Sequence, residues 1–420
     1  MTKHDGKHIW VYAEWAELGS ATLMGELTTT VVRGKEIFAF EYDEEWLSKY
    51  STMYLDPDLA LYKGRQYLQD DKNNFGMFLD SSPDRWGRVL MKRREALLAK
   101  SENRKEQTLF ESDFLLGVYD PYRMGALRFS LIKGGEFLNN DKRLAAPPWA
   151  SIRELEYASL QVEDENMNEE DSLKWLNMLI APGSSLGGAR PKAGVLDEKG
   201  QLWIAKFPSI NDEKDIGAWE LLLHQLAKKA GIMVSNAFAQ KYSGTHHTFL
   251  TKRFDRTETK QRVHFASAMT LLGYKDGTDY TAGGSYLEIA EFIQRYGAYV
   301  EQDLSELWRR IVFNICVSNT DDHFRNHGFL LTEKGWKLSP AYDMNPVESG
   351  SGLTLNISET DNSLNTELAL ETAKYYRLTK AKAEDILTEV KTAVKEWREM
   401  ANQAGIPRQQ IMSMESAFNC

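Results

Sequence analysis

The chain opens on runs dominated by aromatic and β-branched residues: HIWVYAEW (8–15), TLMGELTTTVV (22–32) and KEIFAFEYD (35–43), separated by glycine and charged turn residues. Such runs suit a pleated, half-buried surface and predict a strand meander. The period then becomes helical. In SSPDRWGRVLMKRREALLAK (81–100) a turn at Ser81 to Pro83 precedes Trp86, Val89, Leu90, Leu97 and Leu98 at helical intervals. DKRLAAPPW (141–149) and the acidic VEDENMNEED (162–171) read as loops and place a boundary zone between them. Beyond it, KAGVL, a turn at Asp197 to Gly200 and QLWIAKF predict a hairpin, and EKDIGAWELLLHQLAKKAG predicts a helix closed by Gly231. NAFAQKYS and HHTFLTKRF are further strand candidates, and helices dominate from about Ser285. The clearest helix carries Leu304, Leu307, Trp308, Ile311, Val312, Ile315 and Cys316 on one stripe and ends at a polar cluster.

Composition narrows the classes. A chain of 420 residues suits two or three compact units. Its 51 Lys and Arg against 61 Asp and Glu give a charge of -10, which argues against broad attraction to phosphate backbones or anionic membrane. Cys316 and Cys420 are the only cysteines, so no disulfide framework is expected. MTKHDGKHIWVYAEW lacks the apolar core of a signal peptide, and no apolar run approaches about 18 residues. The expectation is a soluble, cytoplasmic chain with no membrane contact.

The candidate chemistry starts at APGSSLGGARPKAGV (181–195), whose glycines and serines allow backbone N–H groups to turn toward a phosphate. A flexible surface turn is the plain alternative, and the stretch is not a Walker loop. Lys206 shares a strand face with Leu202 and Ile204, and Glu220 shares a helix face with Ile216, Leu223 and Ala227. A carboxylate on an apolar stripe calls for a cation, and a strand lysine paired with a helix glutamate is how kinases hold ATP phosphates. An edge lysine reaching water is the alternative for Lys206.

After the clearest helix comes SNTDDHFRNHGFLL (318–331), with Asn326 five positions beyond Asp321. Protein kinases place a catalytic aspartate and a magnesium-binding asparagine at this separation, although a solvated loop rich in capping residues has the same composition. A second hairpin, GFLLT and WKLSP, then leads to Asp343 in SPAYDMNP. That order, catalytic loop, hairpin and aspartate, is the kinase order, and hard oxygen ligands from Asn326 and Asp343 suit magnesium. A transition-metal site at His323 and His327 is the weaker reading, and His323 is expected to support the loop by hydrogen bonding.

These motifs resemble the HipA family of serine/threonine kinases, toxins of bacterial toxin–antitoxin modules. SSLGGARPK, WIAKFPS, KRFDR, SNTDDHFRNHGFLL and LSPAYDMNP are similar to its kinase-core motifs in the family's order. MGELT, FEYDEEWL, SSPDRWGR and MGALRF are similar to its N-terminal region, so the resemblance runs to the neighbourhood of Gly350. It implies an α+β fold: a two-lobed kinase-like core with an N-terminal α+β region (1–150), an N-lobe-like part (151–260) and a mainly helical C-lobe (261–420). It implies Asp321 as catalytic base, Asn326 and Asp343 as magnesium ligands, and Lys206 with Glu220 at the phosphates of ATP. Gly187 and Gly188 fall in the phosphate loop, and Lys252 to Phe254 at the adenine hinge. Ser185 falls where the family autophosphorylates, with Ser184 as a neighbouring candidate. Arg190 and Pro191 depart from the Gln and Glu that many members carry. The implied activity is Mg-ATP-dependent phosphorylation of a protein serine or threonine, with a translation component as the target. The implied partner is a small helix-turn-helix antitoxin that supplies the DNA contacts. The rival reading is a nucleotide-binding scaffold that acts mainly through such a repressor.

Overall fold

A computed structural model of the chain describes residues 6–68, 72–142, 151–164, 169–180, 188 and 190–418. The fold is mixed α and β and resolves into two compact units, Met1–Ile210 with Asp255–Ala266, and Asn211–Phe254 with Ser267–Cys420.

The first unit begins with the expected meander. β1 (His8–Ala13), β2 (Thr22–Val32), β3 (Lys35–Tyr42), β4 (Gln66–Tyr67) and β5 (Leu127–Ser130) form a sheet in the order β4-β3-β2-β1-β5. Its paired strands are antiparallel, from Val32↔Lys35 at the β2–β3 turn to Trp10↔Ser130 at the other edge. That turn has positive φ at both Arg33 (51°) and Gly34 (80°), the twist that matches two strands joined by two residues. Ile9, Val11 and Ala13 are buried along one face of β1, and Phe40, Phe78 and Phe129 meet with centroids 5.5 and 5.9 Å apart. The side chain of Arg123 is buried against them. Its guanidinium, 4.7 Å from the Phe129 ring, donates to the carbonyls of Ser81, Leu115, Val118 and Leu138, so one cation satisfies four otherwise orphaned acceptors.

Around the sheet lie α1 (Glu44–Lys49), α2 (Gly76–Asp80), α3 (Arg85–Ser101) and α4 (Glu111–Gly117). α3 is the helix expected after Ser81 to Pro83, capped by Asp84, which accepts from Gly87 N at 2.8 Å. Its buried face is Trp86, Gly87, Leu90 and Ala99. Val89 is exposed and Leu97 and Leu98 are only half-buried, so the apolar stripe is narrower than its spacing suggests. Two further helices, α5 (Ile152–Glu163) and α6 (Glu169–Ile180), pack on each other and flank the acidic segment. β6 (Lys192–Leu196) and β7 (Leu202–Lys206) then form the expected hairpin. Asp197 closes it by accepting from Lys199 N and Gln201 N, and Gly200 takes the left-handed position at φ 69°.

In the second unit, α7 (Ile216–Lys229) starts at Asp215, which accepts from Ala218 N, and ends at Gly231 with φ 79°, as its sequence predicts. β8 (Ala237–Gln240) and β9 (Thr248–Lys252) are antiparallel. β10 (Phe265–Ser267) leads into α8 (Ala268–Leu271), and α9 (Tyr286–Tyr296) precedes α10 (Val300–Cys316). Every residue of the α10 stripe read from the sequence is buried. Cys316 at its end is disulfide-bonded, against the expectation of unpaired thiols, and the only other cysteine, Cys420, lies outside the described residues. β11 (Gly328–Thr332) and β12 (Gly335–Leu338) form the second hairpin. The C-terminal helices are α11 (Thr366–Thr372), α12 (Lys380–Val394), α13 (Trp397–Gln403) and α14 (Arg408–Ser413). α12 lays Ile386 and Val390 into the core beside α10, and Trp397 stacks on Phe418 at 4.1 Å.

Candidate active site

α10 delivers a polar loop to the core of the second unit. The helix stops because Ser318 turns left-handed, at φ 47°, and Asn319 N reaches back to Asn314 O at 3.0 Å. Asn319 then acts on both sides, donating from Nδ2 to Asn314 Oδ1 (3.0 Å) and accepting from Asn345 N at Oδ1 (3.1 Å). One buried oxygen gathers the rest of the loop. Asp322 Oδ2 accepts from Tyr286 OH (2.7 Å) and Asn314 Nδ2 (2.6 Å) and pairs with His327 Nε2 at 2.9 Å. Burial pushes the Asp322 carboxyl up, but His327 and the hydrogen bonds it accepts outweigh that and hold it below the ordinary aspartate value.

Asp321, the neighbour of this anchored residue, is exposed, and Asn326 behind it is buried. Asn326 Nδ2 donates to Asp321 O at 2.9 Å, which aligns the two residues. Asn326 Oδ1 is buried with no hydrogen-bond partner, an acceptor suited to a hard cation. Partial desolvation raises the pKa of the Asp321 carboxyl; His323 opposes the rise, and the charges of Asp343 and Asp322 add to it. Asp343 is half-buried and sits at φ 59°, in the left-handed region that costs a non-glycine residue strain. Its segment is held at both ends. Ala341 N donates to Met233 O at 2.8 Å, and Tyr342 OH donates to Arg325 O at 2.7 Å, tying the strand after the hairpin to the loop of Asp321.

The hinge residues belong to the same unit. Lys252, at the end of β9, is half-buried and donates its N–H to Asn236 O at 2.8 Å. The ring of Phe254 lies 5.6 Å from that of Tyr342, the residue before Asp343. Glu220 is buried on α7 in this unit, whereas Lys206 is buried on β7 in the first unit. Gly188 is exposed at φ 82°, and Lys192 Nζ approaches its carbonyl at 3.4 Å. Gly187, Ser184 and Ser185 lie outside the described residues.

The loop's internal support is not where the sequence put it. His323 Nδ1 is buried without a hydrogen-bond partner, and His327, through Asp322, is the histidine that anchors the loop. Asp322, Asn314 and Tyr286 were missed as a set. The available signal was Asn314, an amide between Phe313 and Ile315 on an otherwise apolar helix. Among the described residues no group of three or more His, Cys, Asp or Glu side chains is placed to hold a metal. Magnesium needs no such cage, since it takes one or two protein oxygens together with phosphates and water. Asn326 Oδ1, with the carboxylates of Asp343 and Asp321, fits that demand.

Known proteins share this architecture. A family model described as the HipA-like C-terminal domain matches residues 184–397, more than half of the chain. A Sinorhizobium fredii protein whose description carries the word kinase, Y4mE, is 26% identical over 147 residues, 34% of this chain and 33% of its own. The serine/threonine-protein kinase toxin HipA of Shewanella oneidensis is 23% identical over 231 residues, covering 48% of this chain and 52% of its own. The chain thus spans between a third and about half the length of these relatives. Among solved structures, HipA of the Shewanella oneidensis toxin–antitoxin system, in complex with HipB and its operator DNA, shares the fold. The TM-score is 0.66 at 16% identity, over 97% of this chain and 94% of that one.

Proposed function

The chain belongs to the HipA-like family, and from that premise we propose that it is a magnesium- and ATP-dependent serine/threonine protein kinase. The observation that carries the proposal is Asn326, whose Nδ2 is tied to the backbone of Asp321 and whose buried Oδ1 has no partner. In this reading Asp321 accepts the proton of a substrate hydroxyl as that oxygen bonds to the γ-phosphorus, and the bond from phosphorus to the β–γ bridging oxygen breaks to release ADP. Its raised pKa makes it a stronger base than an ordinary aspartate. Asn326 and Asp343 hold magnesium, which neutralises charge on the phosphates when bound. Lys206, with Glu220 as its partner, positions those phosphates, as do backbone groups at Gly187 and Gly188. The backbone near Lys252 to Phe254 receives adenine.

The same reading assigns an N-terminal region at 1–150, an N-lobe-like part at 151–260 and a C-lobe at 261–420. It places autophosphorylation at Ser185 in preference to Ser184, in a cytoplasmic chain whose protein target is a component of translation. No described helix is long and apolar enough to cross a membrane. A helix-turn-helix antitoxin is the proposed partner, and DNA is contacted through it. The structure of HipA with HipB and operator DNA also favours a second reading, a nucleotide-binding co-repressor scaffold.

Incubation with Mg-ATP followed by intact-mass and fragment measurement separates the two. A kinase gains a phosphate at Ser185. A chain that binds ATP yet stays unmodified, and labels no protein in an extract, is the scaffold.

A further inference from the structure

The first unit contains a pocket of about 370 Å³ that the kinase reading does not use. Its wall is cationic. Arg128, Arg256, Lys260 and Arg262 line it, with Glu14 as the acid among the lining residues and Trp15 on one side.

The arginines are fixed in place rather than waving in solvent. Arg256 donates from Nη1 to Asp255 Oδ2 (2.7 Å) and from Nη2 to Arg123 O (2.9 Å), and Arg262 donates from Nη2 to Asp120 O (2.6 Å). Arg128 donates from Nε to Asp120 Oδ2 (2.9 Å) and from Nη1 to Glu14 (2.5 Å), with its guanidinium 3.7 Å from the centroid of the Phe137 ring. Arg123 stands behind them, fully buried, its pKa brought down to about 9 by desolvation and by the crowding of Arg262 and Arg128. Among the described residues, five cations therefore converge where Asp120, Asp255 and Glu14 provide three negative charges, an excess of two in a chain whose net charge is -10. Lys260 is the mobile contributor. It is exposed, and its Nζ lies over Gly200, where a Cβ would come within 2.6 Å.

A concave site of this size, with preorganised donors and an excess of positive charge, has the make-up of a ligand pocket. We propose that it binds a small organic phosphate, whose two negative charges match the excess and whose organic part lies along Trp15 and Pro121. A monocarboxylate would leave one positive charge unbalanced.

Phenyl phosphate is the probe, titrated calorimetrically into the full chain with EDTA and without nucleotide, beside benzoate. Saturable one-site binding is expected, at least about tenfold tighter than for benzoate, because the second charge meets fixed cations. Lys260→Glu, at an exposed side chain outside the buried network, should weaken it by about tenfold or more, and Asp343→Asn should leave it unchanged. Absence of saturable binding overturns the proposal. So do equal affinities for benzoate and phenyl phosphate, indifference to both Lys260→Glu and Arg256→Gln, or loss of binding in Asp343→Asn, which would move the phosphate to the kinase site.

Discussion

Asp322→Asn is the perturbation that examines most sharply why the loop of Asp321 keeps its shape. In the parent chain one carboxylate oxygen pairs with Tyr286, Asn314 and His327 at 2.6 to 2.9 Å, in the core of the second unit. Hydrogen bonds to a charged acceptor contribute about 1.5–3 kcal/mol each, and breaking a buried pair by altering one partner costs about 3–5 kcal/mol. The amide can still offer one oxygen, but it is neutral and brings an NH2 into a ring of donors. A loss of about 3–5 kcal/mol is therefore expected, against about 1–2 for Tyr286→Phe, which removes a single donor. The two should be non-additive, since they share the same oxygen. Urea unfolding followed by circular dichroism, on the parent, both single variants and the double variant, supplies the four free energies. The pH dependence has a definite sign: because the folded Asp322 pKa is depressed, its contribution is present above the ordinary aspartate value and is lost as pH falls through the folded one. A loss below about 1 kcal/mol for Asp322→Asn, or strict additivity with Tyr286→Phe, would refute the hub.

The remaining predictions lie elsewhere in the chain. Asp56, fully buried in the first unit, has its pKa pushed up to about 7 by desolvation. Its neutral form is the one the fold favours, so stability is highest below about 4 and falls as pH rises through about 7. Asp56→Asn should remove that slope, narrowing its deficit against the parent by a few kcal/mol between pH 4 and 8; parallel curves would contradict it. Gly217 on α7 has room for no Cβ, which would come 2.1 Å from His247 O, so Gly217→Ala should cost about 1–3 kcal/mol in thermal or urea unfolding. An unchanged midpoint would show that the loop simply yields. The purified chain should bind a small basic helix-turn-helix protein yet not DNA alone at physiological salt, and tight sequence-specific DNA binding by the chain itself in a gel-shift assay would oppose this.

The local pattern was most legible where period and burial agree. The opening meander, the hairpin around Asp197 and the α10 stripe stand as their spacing implies, because each is specified by apolar residues at one period closed by a turn residue that can take the required backbone. α3 was less legible: Val89 has the right spacing but faces solvent, since spacing alone does not say how wide a neighbouring face will be. The candidate site divides in the same way. Asn326 beside Asp321 follows from a local separation of five residues, and the structure adds the hydrogen bond that joins them. Asp322 is different. Its partners come from α9, from α10 and from five residues downstream, and no single window of sequence contains that convergence. His323 and His327 looked equivalent in the sequence, and only tertiary placement shows which one reaches a carboxylate.

The most direct measurement is a comparison of ATP binding and phosphate transfer in the parent chain and Asp321→Asn. Calorimetry of ATP with and without magnesium, beside a radiolabel transfer assay on the same preparations, reads the two quantities separately. A base that acts on the substrate hydroxyl contributes little to the ground-state nucleotide complex. Affinity for Mg-ATP should therefore stay within about twofold while transfer falls by about 10²–10⁴. Equal transfer by the two proteins would contradict the assignment of Asp321 as the catalytic base.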